Sequence, residues 1–232
     1  MTRRKVKTAK LEIIQCGTKM FLEKGYKATS PKDICEALNT GTGNLTYYFP
    51  TKEHLLVVLV DMLCDFQWKK MEEEAGDGIS SIMAICLEVA AMAAICETDP
   101  VAKDFYTAAY TSPMCLEIIR KNDVIRAKKV FGAYCPNWKE EHFIGAEAIV
   151  SGIEYGALMA EGAGISLENR IAAALNAILQ TYQIPVELRR QKIRRVLEMD
   201  YHTLAQRVLR DFKLFVERTN EQALKDQYQQ AT

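Results

Sequence analysis

The stretch TSPKDICEALNTGTGNLTYYFPTKEHLL, residues 29–56, holds the start and end signals of two short helices and the start of a third. Ser30 is a favourable N-cap, Pro31 suits the first helical position, and Asp33 lies near the positive end of the helix. The turn at residues 39–41 ends the first helix, because Asn and Gly tolerate a left-handed backbone. Two short helices joined by such a turn predict a helix-turn-helix.

The second of these helices, residues 42–48, is unusually polar for a core helix. Leu45 and Phe49 are clearly apolar, and because they are four residues apart they share one face. The other face carries Thr, Gly, Asn and Tyr, which suit the major groove of DNA, where hydroxyls and amides bond base edges and phosphates. The alternative is a polar surface helix in an ordinary helical protein.

Residues 11–56 resemble the DNA-binding domain of TetR-type transcriptional repressors. The resemblance rests on FLEKGYKATS at 21–30, DIC at 33–35, GNLTYYF at 43–49 and TKEHLL at 51–56, in the family's order and without gaps. The sequence departs from the family pattern at three positions. Thr46 stands where the family usually has Tyr, Gly41 where a Ser or Thr cap is common, and Pro50 follows Phe49.

The resemblance implies that the partner is double-stranded DNA with a palindromic operator. The residues predicted to bind DNA are Thr29, Thr42, Gly43, Asn44, Thr46, Tyr47, Tyr48 and Lys52. We expect Thr29, Tyr48 and Lys52 to contact phosphates, and the others to contact base edges or the groove. The basic residues 1–10 are predicted to form a frayed arm, which either touches DNA phosphates or is simply a loose terminus.

Formal net charge is zero over the 232 residues, but the charge is unevenly distributed. Residues 1–54 hold ten Lys and Arg against five Asp and Glu, a net charge of +5, which leaves −5 for the rest. A basic segment attached to an acidic one fits a nucleic-acid-binding module joined to another domain. Ordinary solvated surface charge is the alternative.

The predicted fold class is all-α, since no segment shows a convincing period of two. We expect a helix-turn-helix DNA-binding domain at residues 1–51 and a larger helical ligand-binding and dimerisation domain at 52–232. Gly and Asp at 75–78 predict a hinge, and residues 183–232 predict a C-terminal extension of one or two amphipathic helices with a loose tail at 225–232. Further helices are expected at about 8–24, 52–74, 78–98, 100–110, 113–134, 138–162 and 166–182.

The helices predicted at 138–162 and 166–182 contain many small residues, which let two helices approach each other closely. The resemblance implies that this pair forms a four-helix dimer interface, with Gly145, Ala148, Gly152, Gly156, Ala173 and Ala177 in it. A homodimer also follows from two-fold operator recognition by helix-turn-helix proteins. The alternative is a helix hairpin within one chain.

A pocket for an unknown small-molecule effector is expected in the second domain, because aromatic residues and methionines are frequent there. Its predicted lining is Phe66, Glu88, Tyr106, Tyr110, Phe131, Tyr134, Glu154 and Tyr155, although most of the aromatic residues are expected to be plain core. Glu88 and Glu154 interrupt apolar stretches, and a buried carboxylate needs a partner. A cationic ligand would be one.

Other classes of function have little support in the sequence. The three histidines are far apart, no P-loop, GxGxxG or GxSxG motif is present, and we expect no catalytic residues, metal or cofactor. Seven scattered cysteines predict a reduced, cytoplasmic protein, with a redox sensor as the alternative. No apolar run reaches the length of a membrane span, so no membrane partner is expected.

The sequence therefore predicts a DNA-binding transcriptional regulator, a repressor released by a ligand. The alternative is a helical protein-interaction module acting through residues 183–232, and a helical enzyme is a third possibility.

Overall fold

A computed structural model describes residues 3–75, 81–160 and 164–229, and these contain helices and no β-strand. The predicted all-α class is confirmed. The elements are α1 (Arg3–Lys24), α2 (Pro31–Ala37), α3 (Thr42–Tyr48), α4 (Lys52–Ala75), α5 (Ser81–Thr98), α6 (Pro100–Thr111), α7 (Pro113–Phe131), a 3-10 turn (Gly132–Tyr134), α8 (Glu140–Met159), α9 (Leu167–Thr181), α10 (Val186–Leu197) and α11 (Tyr201–Gln229). We call α1–α3 the head and α5–α11 the body, with α4 joining them.

The predicted starts of α2, α6, α7 and α9 are confirmed by their capping contacts. The Ser30 hydroxyl accepts the backbone N–H of Asp33 at 3.2 Å, and the Asp33 carboxylate accepts the backbone N–H of Ser30 at 2.6 Å. Asp99 and Ser112 cap α6 and α7, each of which begins with a proline, and Ser166 caps α9. Such reciprocal bonds satisfy backbone donors that a helix start leaves without an intrahelical partner.

Several predicted boundaries are wrong. α1 begins at Arg3, so residues 3–10 are helical rather than a frayed arm, and α11 runs to Gln229, so residues 225–229 are not a loose tail. Neither stretch contains Gly or Pro to stop a helix. α7 ends in a 3-10 turn and α8 spans Glu140–Met159, shorter than the predicted 138–162. The predicted hinge at 76–78 lies outside the described residues.

The turn between α2 and α3 confirms the prediction of a left-handed backbone for Asn but not for Gly. Its left-handed residue is Asn39, at φ 47°, whereas Gly41 has φ −83° and is the N-cap of α3. Asn can adopt this backbone conformation because its short polar side chain bonds locally. The helix-turn-helix geometry is therefore set by Asn39.

α5 is the centre of the body and packs against α4, α6, α8, α9, α10 and α11. Nearly all its residues are buried. Among the described residues, it is the one helix long and apolar enough to cross a membrane, and 72% of that segment is buried inside the fold. A core helix buried by its neighbours accounts for this composition.

The C-terminal extension is folded onto the rest of the protein. α10 packs on α5 and α9, and α11 packs on α1, α4 and α5. Leu204, Val208, Phe212 and Val216 form the buried stripe of α11. Since this apolar face is covered within the chain, it is not free for another protein, and the interaction-module alternative loses its main surface.

The head closes around Gly17, where α1, α2 and α4 meet. A Cβ atom on Gly17 would overlap the side chain of Leu55 and lie 3.3 Å from Ile34 Cδ1. Leu55 and Ile34 are themselves fully buried, so neither has free space to move into. Gly17 is thus required by close packing.

We predict that Gly17→Val destabilises the protein by roughly 1–3 kcal/mol, the usual cost of overpacking a core. Urea unfolding followed by circular dichroism measures the change. Gly132→Val is the matched control, since a Cβ at Gly132 meets nothing within 4 Å. Equal stability of the two variants would contradict the close packing at Gly17.

Candidate nucleic-acid interface and buried charge cluster

One face of α3 is buried and the other is open. Leu45 and Phe49 face inward, as predicted, and both are buried. Tyr47 is 74% exposed and meets the ring of Tyr48 edge-on, with centroids 4.9 Å apart. The remaining predicted residues of α3 are exposed or half-buried, namely Thr42, Gly43, Asn44, Thr46 and Tyr48. All of them are accessible to a partner.

The polar groups of α3 make few contacts that would tie them up. The Asn44 amide donates to the Thr40 hydroxyl at 3.1 Å, and the Thr46 hydroxyl donates to the Thr42 carbonyl at 3.1 Å. A Cβ on Gly43 would meet nothing within 4 Å, although Gly is among the poorest helix formers. The fold therefore does not require a glycine at this exposed position.

The predicted phosphate contact of Thr29 is wrong, whereas that of Lys52 stays a prediction. Thr29 is 1% exposed, and its hydroxyl donates to the Gly25 carbonyl at 2.8 Å, so it cannot reach DNA. The Lys52 ammonium donates to the carbonyls of Tyr26 at 2.8 Å and Thr29 at 3.1 Å. It also lies 4.0 Å from the centre of the Tyr26 ring, and partial burial lowers its pKa. Lys52 fastens α4 to the loop before α2.

The body contains a cluster of buried charges on α5, α7 and α8. Glu88, Asp123, Arg126, Glu147 and Glu154 line a cavity of about 30 Å³. Arg126 pairs with Glu88 and lies 3.2 Å from an Asp123 carboxylate oxygen. These five residues, four acids and one base, form what we call the charge cluster.

Two tyrosines complete the hydrogen bonding of the charge cluster. Tyr110 donates to Glu154 at 2.9 Å, and Tyr182 donates to Glu147. Burial raises the pKa of Asp123 to about 6 and the pKa of Glu147 to about 8, and it raises that of Glu154 well above the ordinary value. At neutral pH, Glu147 is therefore mainly protonated, since one Arg126 cannot balance the four carboxylates of the cluster.

The structure does not gather the predicted pocket residues into one pocket. Glu88, Phe131 and Glu154 line the cavity of the charge cluster, whereas Tyr106 lines a second cavity of about 20 Å³ beside α11. Phe66 packs on Phe212 at that second cavity, and Tyr110 reaches the first through Glu154. Tyr134 and Tyr155 line neither cavity. Each cavity holds about one water molecule, so the predicted residues do not line a ligand-sized pocket in this structure.

The predicted partner of Glu88 also needs correction. Glu88 is neutralised by Arg126 of the same chain rather than left for a cationic ligand. Arg126 stands among several basic residues of α7, and nothing in the sequence distinguishes it from the exposed ones. Glu147 could have been found, because it interrupts an apolar stretch of α8 as Glu154 does.

The charge cluster reaches α4 through an aromatic contact. The Arg126 guanidinium lies over the Trp68 ring of α4, 4.5 Å from its centre. Trp68 therefore contacts the same guanidinium that neutralises Glu88, and α4 continues directly to the head. Arg126 thus connects the charge cluster directly to the helix that carries the head.

The small residues of α8 and α9 point away from the chain. Gly145, Ala148, Gly152 and Gly156 are exposed on α8, Ala173 is exposed on α9 and Ala177 is half-buried. Cβ atoms on the three glycines would meet nothing within 4 Å, so packing within one chain does not require them. Ile144 and Ile149 are 54% and 62% exposed on the same helix. Packing between α8 and α9 within one chain therefore does not explain why these exposed positions carry small or apolar residues.

The cysteines are free and mostly buried. Cys35, Cys86, Cys96, Cys115 and Cys135 are buried, and Cys16 and Cys64 are half-buried. Burial raises the pKa of Cys86 to about 12, which disfavours a reactive thiolate. Within the described part of the chain, no group of three or more His, Cys, Asp or Glu residues is arranged to hold a metal ion.

These features define a helix-turn-helix head joined to a helical body. Residues 13–59 match the model of a family described as bacterial regulatory proteins, tetR family. Over these residues the chain is similar to the N-terminal domain of the tetR family, and the predicted resemblance to TetR-type regulators is confirmed.

Several solved structures are similar over most of the chain. GusR of Salmonella enterica has a TM-score of 0.49 at 16% sequence identity, covering 76% of this chain and 96% of that chain. A gamma-butyrolactone receptor, an ArpA-like protein, has a TM-score of 0.43 at 17% identity, covering 89% and 98%. CprB from Streptomyces coelicolor, in complex with its operator sequence, has a TM-score of 0.43 at 18% identity, covering 89% and 99%. No protein of curated function matches the sequence.

We predict that Glu147→Gln flattens the pH dependence of stability. In the folded protein the pKa of Glu147, about 8, lies above the ordinary value of 4.5, so the folded state holds this proton more tightly than the unfolded state. The stability lost as pH rises from about 4.5 through 8 should therefore shrink in the variant, by about 5 kcal/mol at most. Urea unfolding at pH 5, 7 and 9 measures it.

The exposed Glu141→Gln, on the same helix, is the control and should retain the wild-type profile. If Glu147→Gln and wild type lose the same stability between pH 5 and pH 9, Glu147 is not the titrating group.

Proposed function

We propose that this protein is a sequence-specific DNA-binding transcriptional regulator that binds a palindromic operator as a homodimer and represses until a small-molecule effector binds the body. In this proposal, residues 1–51 are the DNA-binding domain and residues 52–232 the ligand-binding and dimerisation domain. The site of action is the cytoplasm. The observation that carries the proposal is the exposed polar face of α3 on a helix-turn-helix head of the tetR type.

DNA accounts for the side chains that α3 leaves exposed. Tyr47 presents a large aromatic ring to solvent, and its hydroxyl can bond a phosphate or a base edge. Thr42 and Thr46 lie on the same exposed face, with hydroxyls that can donate or accept. Gly43 lacks a side chain where the fold has room for one, which suits close approach of the helix backbone to a groove wall.

The exposed face of α8 and α9 supports a homodimer. Glycines with open space at Cβ allow another helix to approach closely, and Ile144 and Ile149 supply apolar surface. Two copies related by a two-fold axis would present two α3 helices to two operator half-sites. Residues 145, 148, 152, 156, 173 and 177 are therefore the proposed interface.

Effector binding would act through the charge cluster. A cationic ligand that enters it would favour ionised Glu147 and Glu154 and compete with Arg126 for the carboxylates. Because Arg126 stacks on Trp68, the displacement would reach α4 and the head. Because the cavity is small, the ligand must open the site in order to bind. The ligand would then bind the open conformation more tightly than the closed one, and allosteric release requires such a difference in binding free energy.

We predict that Gly43→Ala stabilises the protein while weakening its binding to DNA. Alanine should raise helix stability by about 1 kcal/mol, and the added methyl group would block close approach to DNA. Fluorescence anisotropy with a selected duplex measures affinity, and thermal unfolding measures stability. Unchanged affinity together with higher stability would remove Gly43 from the interface.

Tyr47→Ala should lower duplex affinity about tenfold or more, the scale of one lost specific contact, and leave dimerisation intact. The same anisotropy titration and sedimentation equilibrium measure the two quantities. Tyr134→Ala, a half-buried tyrosine of the body, is the matched control. Wild-type affinity of the Tyr47 variant would refute its assigned role.

Gly152→Glu should break the dimer, because a charge would be buried where two helices meet. Sedimentation equilibrium should show a monomer that keeps its helical circular dichroism spectrum, with operator affinity reduced in parallel. Asn137→Glu, an exposed loop position, adds the same charge as a control. A dimeric Gly152→Glu protein would place the interface elsewhere.

A further inference from the structure

α11 touches both the head and the helix that carries the head. Its 29 residues correspond to about 43 Å of helix, and it packs on α1, α4 and α5. On the α4 side, Phe66 contacts Phe212 and Phe215, with ring centroids 5.5 and 5.3 Å apart. The head is therefore linked to the body by more than the continuous chain of α4.

Two polar contacts fix α11 at separate points. Lys70 of α4 lies 3.0 Å from an Asp211 carboxylate oxygen, and both side chains are largely buried. Nine residues further along, the Asn220 amide donates to the Thr18 hydroxyl of α1 at 3.0 Å. Nine helical residues span about 13 Å, so α11 is held on two different helices at two heights.

The contact between Asn220 and Thr18 specifies a position more than it adds stability. Both residues are buried, and Thr18 donates in turn to the Ile14 carbonyl of α1 at 2.7 Å. A buried amide is costly unless it is bonded, and an apolar pair could fill the same space at equal or better stability. Asn220 finds its partner in one register, so it disfavours sliding or rotation of α1 on α11.

We propose that α11 fixes the orientation of the head relative to the body, with Asn220 and Thr18 as positioning residues, and so restricts the half-site spacings that the dimer accepts. α4, α1 and α11 form a closed triangle in which α1 cannot turn without breaking a buried bond. This inference rests on the proposed function, since spacing has meaning only for a dimer on DNA.

The test begins with selection of a duplex by the full-length wild-type protein from a random library. Anisotropy then compares the selected duplex with versions whose half-sites are one or two base pairs closer or further apart. For Asn220→Ala, we expect the preference for the selected spacing to fall at least about fivefold, the lower end of usual coupling between sites. Arg218→Ala, exposed on the same helix, should keep the wild-type preference.

Hydrogen exchange of the DNA-free protein gives a second readout. Asn220→Ala should speed exchange in residues 13–24 of α1 and leave α5 unchanged. The double variant Thr18→Val, Asn220→Leu should restore the stability lost in Asn220→Ala, because it removes both polar partners. The double variant therefore replaces Asn220→Ala in the test if the single variant unfolds. Because it also lacks the buried hydrogen bond, it should tolerate altered half-site spacing as Asn220→Ala does.

An unchanged spacing preference in both Asn220 variants would overturn the inference while leaving DNA binding intact. Unchanged exchange in α1 would overturn it as well. If the wild-type protein selects no duplex, the proposed function fails, and the exchange measurement alone still decides whether Asn220 holds α1.

Discussion

The close packing of α1 against its neighbours is the constraint on which the rest of the structure depends. At Gly17 the absence of a side chain lets Leu55 of α4 lie against α1, and Ile34 of α2 fills the space beside it. The next residue, Thr18, lies on another side of α1, where its hydroxyl accepts a hydrogen bond from the Asn220 amide of α11. One turn of α1 thus joins the helix-turn-helix core to the first helix after the head and to the last helix of the chain. α3 itself buries little, so it is held in place by this arrangement.

In the charge cluster of the body, acidic side chains outnumber basic ones. Four carboxylates and one guanidinium share a cavity that holds about one water molecule, and burial raises the pKa values of Glu147 and Glu154, which favours their neutral forms. Such a cluster is sensitive to anything that changes its charge, whether a proton or a cation. Because Arg126 also lies on the Trp68 ring, a change in the charge of the cluster would act on a residue that contacts α4 directly. The head end of the same helix is fastened by Lys52 to the loop before α2.

Local signals in the sequence predicted the helix starts and the buried face of α3, because capping and i, i+4 spacing depend on nearby residues alone. The errors arose where distant contacts decide. Nothing near Lys52 in the sequence shows that its ammonium donates to the carbonyls of Tyr26 and Thr29, 26 and 23 residues away. Glu88 read as a carboxylate without a partner, because Arg126, which neutralises it, lies 38 residues away in sequence. The small residues of α8 were noticed for their size, but only the structure places them on an open face.

The central claim is that the α3 face reads DNA, and selection of duplexes by the full-length protein, followed by anisotropy in a salt series, tests it most directly. If this face does read DNA, the protein should bind tightly to one sequence with two-fold symmetry, with affinity that falls steeply as salt rises, since phosphate contacts release counterions. Weak binding that is equal on all duplexes, or no binding at low salt, would contradict it.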